Sequence, residues 1–166
     1  LLVAPTRVIL DGRRGTEVIL SNIGSEEATY RVELELRRMT PEGGLVDVDP
    51  QDVNEAERAA LDMIRYAPRR ITLPPGQPQA VRLSARPGVD LPEGEYRVHM
   101  AFRAIPRPPS LTAAEEETEG LRLRLVPVYG VTIPVIVRHG RLEATAALEE
   151  PRMVQAGDEA ELRVSI

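Results

Sequence analysis

The feature that most constrains the fold is the stretch 121–138, in which every second side chain is apolar. Its sequence, LRLRLVPVYGVTIPVIVR, has an unbroken apolar series at the odd positions and a mixed series at the even ones. Because successive side chains of a strand point to opposite faces, the pattern predicts one long strand with one continuous apolar face. A typical strand runs about 5–6 residues, so a small sandwich can bury only part of this face. The surplus is predicted to reach a second domain or to meet a partner chain.

Two prolines complicate an unbroken strand. Pro127 and Pro134 stand at positions of different parity, so their missing N–H groups would face opposite edges. One of them would then damage an internal hydrogen-bond ladder. A break or bulge at Gly130 would resolve the conflict.

The rest of the chain alternates in shorter segments bounded by proline and glycine turns. Strands are predicted over 2–10 (interrupted at Pro5), 16–21, 28–39, 70–73, 79–85, 95–104, 142–148 and 159–166. One short helix is predicted over 54–64, within the excursion 50–66, with Asn54 as N-cap and Glu57 three residues on. This series of short strands predicts an all-β fold, an immunoglobulin-like β-sandwich.

The composition argues against several classes of function. All 21 cationic side chains are arginine and the formal net charge is −5, which argues against a nucleic-acid partner. The chain has no cysteine, which excludes disulfides, thiol catalysis and cysteine-based metal sites. No apolar run is long enough to span a bilayer, so membrane insertion is not expected.

No pattern typical of catalysis is present. The two histidines, His99 and His139, have no cysteine beside them and are predicted to lie at the surface or at a domain junction. No serine has the context of a nucleophile elbow, and no glycine-rich phosphate loop occurs. The sequence therefore predicts no enzymatic activity, no cofactor and no metal site.

Several short motifs together resemble the periplasmic pilus (fimbrial) assembly chaperones of the PapD-like class. In chain order they are PTRV at 5–8, NIG at 22–24, PRRITLPPG at 68–76, VRL at 81–83, LPEGEYR at 91–97 and VRHG at 137–140. The resemblance covers 1–138 as an N-terminal Ig-like chaperone domain. It covers 139–166 as the opening strands of a truncated second β domain.

The resemblance implies a mechanism and partners. A chaperone of this class binds pilin subunits by donor-strand complementation, in which its long edge strand fills the gap left by the subunit's missing strand. Such a chaperone works with an outer-membrane usher and is not an enzyme. The resemblance also implies a periplasmic location. The start of the sequence, LLVAPTRV, has neither Met nor a basic region, which fits a signal peptide that was removed or left out.

The resemblance also implies site residues. Arg7 matches the family's first-strand arginine, which grips the subunit's C-terminal carboxylate. The second cation of the family, a lysine, falls near Pro134 here. Two alternatives stay open: Arg138, Arg82 or Arg97 replaces it, with Arg138 the first choice, or the carboxylate is held differently, as in divergent branches of the family. The predicted donor residues are Leu123, Leu125, Pro127, Tyr129 and Val131. By contrast, Ile133, Val135 and Val137 are expected in the core or at the domain junction.

Another interpretation stays open at this point. The chain could be a non-catalytic Ig-like scaffold module of pili or the cell envelope, whose long strand packs only within its own fold. If the apolar row is exposed instead, self-association through that edge is expected. The segment 107–119, with its prolines and acidic run, is predicted to be a poorly ordered loop that folding does not need.

Overall fold

The computed structural model describes residues 1–106, 128–157 and 159–165. One α-helix, α1, spans Glu55–Met63. The strands are β1 (Leu2–Ala4), β2 (Val8–Leu10), β3 (Thr16–Ser21), β4 (Ala28–Glu35), β5 (Arg37–Met39), β6 (Leu45–Asp47), β7 (Ile64–Ala67), β8 (Arg70–Leu73), β9 (Pro78–Ala85), β10 (Gly94–Ile105), β11 (Gly130–His139), β12 (Glu149–Ala156) and β13 (Glu159–Ser165).

Two sheets form the sandwich. A four-stranded sheet has the order β1-β3-β9-β7, and a five-stranded sheet has the order β2-β11-β10-β4-β8. The predicted immunoglobulin-like β-sandwich with one short helix is therefore confirmed. The predicted loop 107–119 and the first seven residues of the stretch 121–138 lie outside the described residues.

The core between the sheets is aliphatic, because the chain contains a single phenylalanine and no tryptophan. Inward side chains that are at most 2% exposed come from both sheets, among them Val18, Leu20, Val81, Leu83, Val32, Val98, Phe102 and Val135. They occupy every second position of their strands, as the alternation in the sequence predicts.

The first predicted strand divides between the two sheets. β1 pairs with β3, and β2, beyond Pro5, pairs in parallel with β11. The predicted interruption at Pro5 is confirmed. Its consequence is that Arg7, the residue before β2, is carried to the edge of the five-stranded sheet.

The single strand predicted over 28–39 is wrong, because the chain leaves the sheet after Glu35. Leu36 is still anchored in the core at 9% exposure. Beyond it, β5 pairs with β6 in a separate hairpin, with Met39 opposite Leu45. The β5–β6 hairpin was not predicted, nor was β7. β10 correspondingly pairs with β4 only as far as His99 opposite Glu35.

The predicted N-cap of the helix, Asn54, is confirmed. The Asn54 side chain accepts from Glu57 N at 2.8 Å, and Glu57 Oε2 accepts from Asn54 N at 3.0 Å. Arg38, from the β5–β6 hairpin, donates to the same Glu57 carboxylate at 2.6 and 2.7 Å. These bonds hold the pKa of Glu57 below its usual value, the Arg38 bond most strongly. Glu57 therefore joins the hairpin to the first turn of the helix.

Residues 139–166 match the prediction only in part. The strand predicted over 142–148 is wrong: residues 141–148 have no regular secondary structure, and β12 begins at Glu149. The sequence LEATAAL alternates, but its alanines bury little apolar surface and favour strands weakly. Pro151 lies inside β12, where the register shifts between Glu149 and Arg152. β13 confirms the last predicted strand, and the boundary at 138/139 stays a prediction.

We predict that Asn54→Ala lowers the free energy of unfolding by about 1 kcal/mol, because it removes an N-cap acceptor. Urea denaturation monitored by circular dichroism measures the change. Gln51→Ala is the matched control, since this neighbouring exposed side chain makes no hydrogen bond among the described residues. Equal unfolding free energies of the two variants would contradict the assignment of a stabilising N-cap to Asn54.

Candidate functional site

A groove of about 380 Å³ lies on the outer face of the five-stranded sheet. Its floor is formed by β10 and β11, with β2 on one side and the β5–β6 hairpin on the other. The side chains that line it are Arg7, Ile9, Arg37, Met39, Leu45, Glu95, Arg97, His99, Thr132, Pro134, Ile136 and Arg138.

Strand register brings the two predicted anchoring residues into this one groove. Arg138 stands opposite Glu95 in the antiparallel ladder between β10 and β11. Val135 stands beside Val8 in the parallel pair with β2, so Arg7, one residue earlier, is level with Pro134. Arg7 and Arg138, far apart in sequence, therefore lie on one surface, two side-chain rows apart along the strands.

The groove carries positive charge that its own acids do not neutralise. Arg97 and Arg138 share the single carboxylate of Glu95, at 3.1 and 3.4 Å. Arg7 is exposed and has no hydrogen-bond or ion-pair partner among the residues that the structure describes. Arg37 is different, because it lies 2.8 Å from Glu35 and 3.1 Å from Asp47. The surplus charge therefore belongs to Arg7, Arg97 and Arg138.

Of the three arginines considered as a replacement for the lysine, only two lie in the groove. Arg82 lies on β9 in the other sheet and pairs with Glu17 at 2.9 Å, so it is not in the groove. Arg138 and Arg97 both line the groove, and Pro134, near which the resemblance places the lysine, is level with Arg7.

His99 was predicted to lie at the surface or at a domain junction, and the surface alternative is wrong. It is only 5% exposed, and its Nδ1 has no hydrogen-bond partner among the residues that the structure describes. Burial, with nearby Arg37 and Arg97, lowers the pKa of His99, and Glu35 opposes this change. The alternation of β10 gave the correct face, but it could not show that the β5–β6 hairpin turns back beside that face of the sheet.

One edge of β11 is open. On the side away from β10, β2 pairs only with Val135–Val137. Within the described part of the chain, the residues 130–134 have no strand on that side. The ladder with β10 nevertheless continues, since Ala104 N donates to Tyr129 O at 2.8 Å. The backbone of 129–134 is therefore hydrogen-bonded to β10 on one side and has no strand partner on the other side among the described residues.

The apolar side chains at the odd positions become more exposed toward the N-terminal end of β11. Ile133, Val135 and Val137 are at most 2% exposed, which confirms their assignment to the core. Val131 is half-buried, and Tyr129 is 73% exposed. The other predicted donor residues, Leu123, Leu125 and Pro127, lie outside the described residues. The described strand begins at Gly130, the position at which a break was considered.

The described residues show neither a metal-binding cluster nor a membrane-spanning helix. They contain no group of three or more histidine and acidic side chains placed to hold a metal ion. None of their helices is long and apolar enough to cross a membrane.

Comparisons with known proteins place the fold. No protein-family model matches the sequence, and no curated protein matches it. Among solved structures, a chain of the CsuC–CsuE chaperone–tip adhesion subunit complex from Acinetobacter baumannii is 15% identical, with a TM-score of 0.51. The E. coli chaperone DraB is 14% identical, with a TM-score of 0.54. A chain of the Salmonella enterica SafA pilin–SafB chaperone complex is 18% identical, with a TM-score of 0.53.

These matches cover most of this chain but only part of the others. The alignments include 83%, 86% and 97% of this chain and 51%, 56% and 65% of those chains, in the same order. At these identities the likeness shows the fold, which is that of the PapD-like chaperones. The chain thus spans roughly half to two thirds of the length of the structures it matches.

We predict that His99 makes stability depend on pH. Its folded-state pKa lies below the ordinary value of 6.5, so the unfolded chain takes up the proton first as the pH falls. The contribution is fully present above about pH 6.5, is lost as the pH falls below that value, and levels off below the folded pKa. His99→Gln should remove this component.

Urea denaturation of both proteins between pH 8 and pH 5 provides the measurement. The difference in unfolding free energy between parent and variant should be constant above neutrality and shift against the parent below it. A constant difference across the whole range would contradict the prediction.

Proposed function

We propose that this chain is a periplasmic, non-catalytic assembly chaperone that binds pilus subunits by donor-strand complementation. The observation that carries the proposal is the edge of β11 that has no strand partner among the described residues, beside a groove with surplus arginine charge. The fold shared with solved chaperones, two of them in complexes with a tip adhesion subunit or a pilin, supports it.

The open edge provides the means of pairing. An unpaired strand edge presents N–H and C=O groups that another chain can use to extend the sheet. Side chains alternate along such an edge, so the row on one face can enter a partner's core. Tyr129 and Val131 begin this row in the described residues, and Leu123, Leu125 and Pro127 extend it in the proposal.

The arginines provide an anchor for a carboxylate. A guanidinium can bind a carboxylate through two parallel hydrogen bonds. Arg7 needs to break no ion pair to do so, whereas Arg138 already shares Glu95 at 3.4 Å with Arg97. We therefore assign Arg7 as the main anchor of the subunit's C-terminus, with Arg138 and Arg97 completing the positive field.

The proposal includes two further partners, a second copy of the chain and an outer-membrane usher, and a location. The same edge of β11 can pair with the edge of a second copy, which would protect it before a subunit arrives. An outer-membrane usher receives the loaded subunit, and the periplasm is the location. The usher and the location come from the family resemblance, while self-association follows from the open edge.

We predict that Arg7→Ala abolishes capture of pilin subunits while the thermal midpoint stays within a few degrees, because the side chain is exposed and unpartnered among the described residues. Co-purification of co-expressed pilin subunits from the source organism is the assay. Arg14→Ala is the matched control, since this exposed arginine lies outside the groove. Undiminished capture by Arg7→Ala would move the anchor to Arg138.

We predict that Tyr129→Glu leaves the protein folded but stops subunit capture, because its side chain is 73% exposed and stands at the open edge. Ile133→Glu should instead unfold the protein, since that side chain is 2% exposed and an unpaired buried charge is costly. Thermal unfolding and the same co-purification distinguish the two. The untested counterpart Leu125→Glu should behave like Tyr129→Glu. A protein that unfolds with Tyr129→Glu would favour the scaffold interpretation.

A further inference from the structure

Apolar side chains also line the groove that contains Arg7, Arg97 and Arg138, called the arginine groove below, although they are exposed to solvent. Ile9 is 49% exposed, Met39 64% and Leu45 50%. Single exposed apolar residues are ordinary, but a cluster inside a concave surface indicates a binding site. These three share the groove with Pro134 and Ile136.

The apolar residues stand on both sides of the floor. Ile9 is on β2 beside Ile136, at the outer margin of the sheet. Met39 and Leu45 form one cross-strand pair of the β5–β6 hairpin, beyond the opposite side of β10 and β11. Because directly opposed residues of an antiparallel pair point to the same face, this pair presents one continuous apolar surface.

The charged residues flank this apolar part along the strands. Ile136 is level with Arg97 on β10, one row from Arg138, whereas Arg7 is level with Pro134. A row is two residues, about 7 Å, so the apolar floor at Ile9 and Ile136 lies between the cations. A ligand that combines a carboxylate with a nearby apolar side chain matches this arrangement in both charge and polarity.

We propose that the groove selects a polypeptide C-terminus whose last side chain is large and aliphatic. The carboxylate pairs with Arg7 and its neighbouring guanidiniums, and the last side chain packs between Ile9 and the Met39–Leu45 pair. This rests on the proposed function, which supplies the carboxylate anchor, and it adds which C-termini the anchor accepts. The β5–β6 hairpin is then a specificity element.

The hairpin supplies its own matched control. Val46 is 51% exposed, almost the same as Leu45, and it pairs with Arg38. Adjacent strand residues point to opposite faces, so Val46 points away from the face that carries Leu45. Serine substitution at exposed positions should leave the fold intact, which the thermal midpoint of each variant verifies.

The test uses the whole chain, residues 1–166, and three fluorescein-labelled hexapeptides of otherwise identical polar sequence. One ends in leucine with a free carboxylate, one is its C-terminal amide, and one ends in serine with a free carboxylate. Fluorescence anisotropy at low salt gives the dissociation constants.

The leucine acid should bind about tenfold more tightly than either the amide or the serine acid, the scale expected for one carboxylate contact or one buried apolar side chain. In the variant Met39→Ser/Leu45→Ser, the preference for leucine over serine should fall to within about twofold. Val46→Ser should keep the full preference.

The outcomes separate the two proposals. Equal binding of leucine and serine acids, both tighter than the amide, overturns the inference and leaves the carboxylate anchor standing. A leucine preference that survives Met39→Ser/Leu45→Ser also overturns it, because the hairpin is then not the cause. An amide that binds as tightly as its acid, or no binding at all, overturns the anchor and the inference together.

Discussion

The ladder between β10 and β11 is the interaction on which the rest of the structure depends. It runs from Gly94 opposite His139 to Arg103 opposite Gly130, the largest strand pairing in the sandwich. One face of this pair supplies Val98, Phe102 and Val135 to the core. The other face forms the floor of the arginine groove. Fixing the ladder register therefore fixes the core and the groove together, since a slip by one residue would exchange the two faces.

Burial stabilises this fold, and the charges outside the core contribute little to it. The ion pairs that Glu95 makes in the groove are exposed, with the Arg97 and Arg138 side chains 47% and 54% accessible. Pairs of this kind typically contribute about 0–1 kcal/mol each. A surface with three under-neutralised arginines gains no stability from them, and carboxylate recognition is what such a surface does well. The open edge of β11 is a second feature that folding alone does not require.

The sequence was sufficient wherever burial on one face produced a clean alternation. β3, β8, β9 and β10 lie at or within one residue of their predicted bounds, and Asn54 with Glu57 located the helix start to the residue. The errors have specific causes. Alternation continued through Leu36, so nothing local marked the exit of the chain into the β5–β6 hairpin. The burial of His99 was missed for the same reason, because it depends on a segment that is distant in the sequence. At 142–148 the alternation was carried by alanine, which gives too little burial to enforce a strand.

The cationic side chains that line the groove are all arginines, because the chain contains no lysine. An amine loses its proton readily when it is desolvated or crowded by other cations, whereas a guanidinium remains protonated under any condition in which the protein folds. Mild acidity therefore leaves the charge of a guanidinium site unchanged, whereas an amine site can lose its charge on desolvation. Any pH dependence of anion binding in the groove must then arise from other groups. The buried His99, whose pKa is lowered mainly by burial, is one such group in the lining of the groove.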